Sequence, residues 1–377
     1  MNYNCRDKIT KFTTISYLAA FMLNAYLNSW LFVLLFYITS IACAVLAFIK
    51  YKVLSNFDIL AFFCLFIVTS IINKIVSQNI TINKVVYTLM GVYISIALLD
   101  PQMNDTFYLR FFYLNFVIVF SQLLFGGYLA PIYSRETNNY VSVYLLYSSM
   151  LFYLKCGKLS RKIQIFPAFL YCICCILAQG RMGIICGFLF FFGILVYYFL
   201  TNNNRVNKSI MFCCFVVVLL FAIFLGGKDL FIYVRNMDVF SRFLEKKMDG
   251  GGRTQCWLEY LNVSRKDIKF LLFGARIDLV SWANRFNGNL HNSFLFIHAY
   301  NGLFMLLLII LLLFKDVTWA VKYKKAIYGI CLVTMCIRGL TDYFFWGTSG
   351  TPFFLLLLLY PIYYNKLFNV NKQDKEC

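Results

Sequence analysis

Apolar runs long enough to cross a bilayer recur along almost the whole chain, and this feature limits the fold more than any other. A helix of about 20 apolar residues spans the hydrocarbon core. Hydropathy places candidate spans near residues 12–27, 30–49, 57–73, 83–99, 107–126, 140–155, 163–178, 183–200, 209–226, 292–314, 326–343 and 351–365. Only 14% of the 377 residues are charged and 61% are hydrophobic, whereas soluble domains carry roughly 25% charged residues. An ordinary soluble domain is excluded, and with Pro at 5 positions and Gly at 20 so is a disordered chain. The expected fold class is an all-α integral membrane protein, a polytopic bundle of about 12 transmembrane helices. Residues 1–226 would hold helices 1 to 9, 227–291 one large polar loop with short helices, and 292–377 the last three helices and a tail.

The N-terminus has Arg6, Lys8 and Lys11 before an apolar stretch, as a signal peptide would. No small-residue cleavage site follows, so this stretch reads as a retained first span. It must share the short interval between Lys11 and Lys50 with the second span, as a tight hairpin turning near Asn28 and Ser29. Most of the 14 cysteines, such as Cys172, Cys174, Cys175 and Cys331, lie in apolar runs, where thiols act as small hydrophobes. No Cys/His spacing suits zinc.

The formal charge of +19 invites a nucleic acid partner until its distribution is read. With twelve spans, 18 basic residues fall on the side of the termini, among them Lys50, Lys155, Lys158, Arg205, Lys315, Lys325 and Lys366. The short loops opposite hold only 4, Lys74, Lys84, Arg135 and Arg181. The positive-inside rule then puts both termini in the cytoplasm, and no nucleic acid is needed to account for the charge. The loop at 227–291 breaks the pattern of short connections, with 65 residues, 11 of them basic and 7 acidic. Loops of this length escape the rule and are more often functional than connective.

Inside the loop, residues 230–248 space Val234, Met237, Phe240, Leu244 and Met248 as one helix face, with Arg235, Arg242 and Lys246 on the wetter side. Such a helix either lies at the interface or docks on the bundle. Gly250, Gly251, Gly252, Arg253 and Thr254 then form a turn that opens a helix carrying Trp257, Leu258 and Leu261. Backbone N–H groups and a guanidinium there suit a phosphate; the plainer alternative is a turn capped by Thr254. Arg181, in a very short outer connection, is held near the bilayer surface, as an interface marker or a functional cation. Arg338 and Asp342, four residues apart, can pair along one helix face, as a structural ion pair or part of a substrate site. His291 and His298 are spaced to share a face of the tenth span, His291 at the boundary where an imidazole can accept a proton from a sugar hydroxyl. His298 reads as a satisfied bundle residue. No DxD, acidic pair, Walker or Rossmann glycine pattern, or GxSxG is present, so a metal-dependent nucleotide-sugar site has no support.

Gly180-Arg181 opening a span, Gly252-Arg253 with Trp257 and Gly274, then His291-Asn292-Ser293-Phe294 with Gly302-Leu303 form an ordered set that resembles the O-antigen polymerase and ligase family. The set covers residues 179–303, about a third of the chain. Where the family often has a second glycine and an acidic residue, this chain has Arg276 and Asn301.

The resemblance implies an inner-membrane glycosyltransferase, acting in the periplasm on undecaprenyl-diphosphate-linked oligosaccharides without a metal or other cofactor. Arg181 and Arg253 would stabilise the departing lipid diphosphate bidentately and His291 would activate or orient the acceptor hydroxyl, giving inversion. Trp257, Arg276, Arg285 and Asn292 would contact the substrate, and Arg338, read from its own spacing to Asp342, is a further candidate. A polymerase would join lipid-linked repeat units, with a chain-length regulator as partner, whereas a ligase would transfer the glycan to lipid A-core. The AT-rich residue usage favours the polymerase. A lipid-linked glycan flippase or other transporter also fits twelve spans, although paired Gly/Pro-broken spans are missing. A membrane scaffold is a third option.

Overall fold

The computed structural model describes residues 3–27, 29–51, 57–101, 103–133, 138–156, 163–178, 180–201 and 252–364. The expected ninth span at 209–226 and the amphipathic stretch at 230–248 lie outside them. Every regular element among the described residues is a helix. The first eight are α1 (Tyr3–Tyr26), α2 (Trp30–Tyr51), α3 (Phe57–Val76), α4 (Ile82–Leu98), α5 (Asp105–Tyr133), α6 (Asn138–Cys156), α7 (Phe166–Leu177) and α8 (Arg181–Thr201). Three short helices follow, α9 (Arg253–Arg265), α10 (Ile268–Phe273) and α11 (Ser281–Arg285), with a 3-10 turn at Ile277–Leu279. The chain continues with α12 (Ser293–Lys322), α13 (Ala326–Gly339) and α14 (Thr351–Leu358).

Five of these helices are long and apolar enough to cross a membrane: α2, α3, the Asp105–Phe125 part of α5, α8 and α12. Shorter apolar helices accompany them at Ile82–Leu98, Val141–Cys156, Phe166–Leu177 and Ala326–Gly339. On α2, Trp30, Leu34, Ile38, Ile41, Val45 and Phe48 all face outward, while Phe36, Ser40, Cys43 and Ala47 face in. An apolar outer face together with a packed inner face belongs to a helix in lipid, and the molecule is a helical membrane protein.

Neighbours in sequence pair first: α1 with α2, α5 with α6, α7 with α8. Contacts of α2 with α4, α4 with α14, α8 with α13 and α3 with α12 tie these pairs into one bundle. One end of the bundle is closed by charge. Lys50 Nζ, at the end of α2, lies 2.9 Å from Asp7 Oδ1 of α1 and 2.7 Å from Asp100 Oδ2 just beyond α4. Tyr51 donates to the same Asp100 oxygen at 2.6 Å, and Lys155 of α6 donates to the Leu99 carbonyl at 3.0 Å.

At the opposite end the segment 252–292 is fastened to the bundle through α3 and α12. The middle of α12 is broken at Gly302, whose φ of 75° and ψ of −176° are not helical. A Cβ there would strike the backbone of Leu272 and Phe273, and one on Gly274 would strike the carbonyls of His298 and Ala299. Two glycines therefore let α10 lie backbone to backbone against α12. The break exposes the Ala299 carbonyl, which accepts from Asn73 Nδ2 and Asn79 Nδ2, both at 2.8 Å. Those amides also hold the Phe273 carbonyl at 2.7 Å and the Ala275 carbonyl at 2.6 Å, while Ser77 Oγ donates to the Gly274 carbonyl. Asn301 completes the joint, donating to Ser70 Oγ at 2.8 Å and accepting from Trp346 Nε1 at 3.0 Å. The Ala299 carbonyl freed by the kink thus finds partners, as buried backbone requires.

Three expectations change. Helix α13 stops at Gly339 rather than 343, because the Phe345 ring presses on Gly339 where a side chain would otherwise stand. Asp342 is therefore beyond the helix, yet still pairs with Arg338. His291 precedes α12 with φ of 50°, so it does not share a helix face with His298. Gly252, at φ of 93°, is the N-cap of α9, and Thr254 makes no side-chain cap.

Candidate functional site

Asp342 is the point on which the charged residues at this end converge. Its carboxylate, 4% exposed, pairs through Oδ2 with Arg338 Nη1. Its other oxygen lies 3.4 Å from Arg253 Nη2 and 3.8 Å from His291 Nδ1. Arg253 Nη1 also donates to the Thr341 carbonyl at 3.0 Å. One carboxylate facing two guanidiniums leaves one net positive charge, so the group suits an anion. Arg253 is half-buried and its fork retains further N–H donors.

Local sequence explains how each member is held. Gly252 has no side chain because the Trp282 ring occupies that space, so α9 begins with Arg253 directed at the 341–342 segment. Asn292 caps α12, its Oδ1 accepting from the Phe294 and Leu295 N–H groups at 2.9 and 3.1 Å. Its Nδ2 donates to the Leu340 carbonyl at 3.0 Å. Ser293 Oγ donates to the Asp342 carbonyl at 2.7 Å and accepts from the Phe344 N–H at 3.2 Å. The His-Asn-Ser run thus grips the turn that carries Asp342. His291 adopts a left-handed backbone that is uncommon for a histidine. Its N–H donates to Asn289 Oδ1 at 2.7 Å, and its ring meets Phe286 edge to face at 4.8 Å. Both ring nitrogens are buried without a hydrogen bond to the described residues. Buried ring nitrogens without a hydrogen bond are costly unless a ligand supplies one.

Of the site residues expected from sequence, Arg253, His291, Asn292 and Arg338 come together. Arg181 begins α8, which runs antiparallel to α13: Cys186 Sγ lies 3.8 Å from the Thr334 carbonyl and Gly193 packs on Ile330. That register brings Arg181 to the end of α13 that carries Arg338. The others have partners inside the loop segment. Trp257 Nε1 donates to the Leu290 carbonyl at 2.7 Å, in the run leading to His291. Arg276 pairs at the surface with Asp278, and Arg285 stacks 4.4 Å above the Trp282 ring. Glu259 fixes the same junction by accepting from Ser281 Oγ at 2.7 Å and the Trp282 N–H at 2.9 Å. His298 has Tyr260 at 2.6 Å on Nδ1 and the Leu271 carbonyl at 2.8 Å on Nε2, the satisfied bundle role expected of it.

Sequence reasoning paired Asp342 with Arg338 but missed it as the hub. The spacing of four signalled the pair; the arrival of Arg253 and His291 depends on tertiary docking. Ser293 and the carbonyls of Leu340 and Thr341 were missed for the same reason. Among the described residues no three His, Cys, Asp or Glu side chains gather as a metal site would require. No family model, curated protein or solved structure matches this chain.

Proposed function

We propose that this protein is an O-antigen polymerase, a glycosyltransferase of the bacterial inner membrane that joins undecaprenyl-diphosphate-linked oligosaccharide units on the periplasmic face. In this reading twelve spans leave both termini in the cytoplasm and segment 227–291 is the periplasmic loop. The convergence of Arg253 and His291, which the family resemblance singled out from separate parts of the chain, with Arg338 on Asp342 is the observation that carries the reading.

The chemistry follows from the groups present. The acceptor hydroxyl oxygen bonds to the anomeric carbon of the donor as the bond from that carbon to the diphosphate oxygen breaks, with inversion. The hydroxyl proton passes to His291, whose ring nitrogens have no hydrogen-bond partner among the described residues, and Asp342 at 3.8 Å stabilises the resulting imidazolium. Charge developing on the diphosphate meets the fork of Arg253, with Arg181 at the same end of the bundle. Fixed charge-assisted donors of this kind lower a barrier by about 3–4 kcal/mol each.

A lipopolysaccharide gel of a deletion strain, complemented at matched membrane levels, tests the reading. Wild type restores a ladder, whereas Arg253→Lys, which keeps the charge but loses the fork, and His291→Ala leave a single core-plus-one-repeat band. A normal ladder in both variants overturns the assignment of these residues. Loss of all capping in the deletion strain points instead to the ligase or flippase.

A further inference from the structure

Lys84, in the first turn of α4, is a cation at this end of the bundle to which no role has yet been assigned. Its ammonium lies 3.7 Å from the centre of the Tyr300 ring, donates to the Tyr300 hydroxyl and is 6.0 Å from the centre of the Tyr343 ring. Tyr343 follows Asp342 in the chain. The Lys84 stem crosses Gly347, where an added Cβ would come within 3.2 Å of the lysine Cγ. The lysine thus stands beside the charged group but is carried by a different element. We propose that Lys84 binds the diphosphate of a second lipid-linked glycan, the one that supplies the acceptor hydroxyl. The inference rests on the glycosyltransferase reading and adds to it the binding site of the second substrate.

Charge, chemistry and mounting support this ligand. Among the described residues no carboxylate pairs with Lys84, and the Tyr300 hydroxyl accepts one of its three N–H groups without neutralising the charge. Lys50, at the other end of the bundle, has Asp7 and Asp100 instead. A cation in the first turn of a helix also faces the positive end of the helix dipole, a cost that an anion offsets and a tyrosine does not. The seat is fixed beforehand, because the Phe296 ring lies 3.7 Å from that of Tyr343 and 5.2 Å from that of Tyr300. A cavity of about 250 Å³, lined in part by Tyr343, Thr348 and Ser349, leaves open space along the segment that the lysine crosses. Joining two lipid-linked units brings two diphosphates to one face of the membrane, and their like charges call for separate cations. The donor's diphosphate gains charge as its bond breaks, which suits the fork of Arg253. The acceptor's keeps its charge throughout, so a point charge that binds ground state and transition state alike is sufficient, and a lysine supplies one.

The test separates the two substrates on the full-length protein in proteoliposomes. The donor is an undecaprenyl-diphosphate-linked repeat unit with its acceptor hydroxyl methylated. Two acceptors are compared: the repeat unit joined to undecaprenyl diphosphate through a methylene group that cannot leave, and the same unit on an uncharged undecaprenyl ether. Wild type is expected to show a KM about tenfold lower for the diphosphate acceptor. Lys84→Gln erases that preference while kcat and the donor KM stay within about twofold of wild type, and Lys84→Arg, which keeps the charge, retains it. Retention of the full preference in Lys84→Gln overturns the proposal, as does an equal KM for both acceptors in wild type. A rise in the donor KM gives Lys84 to the leaving diphosphate, and a matched loss with both acceptors makes it a structural residue; either result overturns the proposal too. Absence of product from wild type with both acceptors sinks the glycosyltransferase reading itself.

Discussion

Asp342 is a buried acid whose neighbours are two arginines and a histidine, and single substitutions there report on more than one role. A buried ion pair costs most when only one partner is removed, about 3–5 kcal/mol, because the remaining charge stays in the interior. Asp342→Asn is therefore expected to lower stability by about that amount, since Arg338 is 2% exposed. Arg338→Met combined with Asp342→Leu is expected to recover most of the loss without restoring polymer synthesis. Thermal unfolding in detergent measures the first effect; a wild-type melting profile for Asp342→Asn would contradict it. The sequence could be read as far as the pair, because i and i+4 residues meet on a helix. That α13 ends before Asp342 was not legible, since the cause is the ring of Phe345 against Gly339.

Among elements, the joint between α10 and α12 matters most, because it positions everything from Arg253 to His291. Gly302→Ala brings a methyl against the Leu272 and Phe273 backbone at a φ of 75°. The expected cost is about 2–4 kcal/mol from overpacking and left-handed strain. Limited proteolysis should then cut the 252–292 segment faster than in wild type, with α2 and α3 unaffected; an unchanged rate would show that the joint does not hold the segment. A second junction depends on pH. Partial burial alone would raise the Glu259 carboxyl, but the Trp282 N–H, the Ser281 hydroxyl and N–H and the Arg285 charge hold it below the usual carboxylate range. A depressed folded value means the contribution is present above the unfolded pKa of about 4.3 and fades as pH falls below it. Tryptophan fluorescence is expected to show loosening around Trp282 below that pH in wild type, and no such step in Glu259→Gln. Among the described residues hydropathy located the apolar helices, five of them long enough to cross a membrane, because lipid-facing runs are continuous. It did not reveal what Gly274 and Gly302 do, because their neighbours are remote backbone rather than adjacent residues.

On the scale of the molecule, the bundle has two polar ends of different character. Asp7, Lys50, Asp100 and Lys155 close one end with their charges and the carbonyls after α4. At the other, Arg253, Arg338, His291 and Asp342 leave a surplus of positive charge and an imidazole whose nitrogens have no hydrogen-bond partner among the described residues, beside a cavity. The first arrangement is satisfied internally, whereas the second leaves a net positive charge that suits an anion. Charge placement along the sequence separated the two ends, but not their chemistry, which depends on which side chains meet across helices. Synthesis of polymer from lipid-linked units alone separates the proposed activity from its alternatives. The purified protein, reconstituted in proteoliposomes with undecaprenyl-diphosphate-linked repeat units and EDTA, is expected to form lipid-linked dimers and longer chains. Arg253→Lys should reduce that yield by about 100-fold. Failure of the wild-type protein to lengthen the glycan unless lipid A-core is supplied, or unless a divalent metal is restored, would contradict the account.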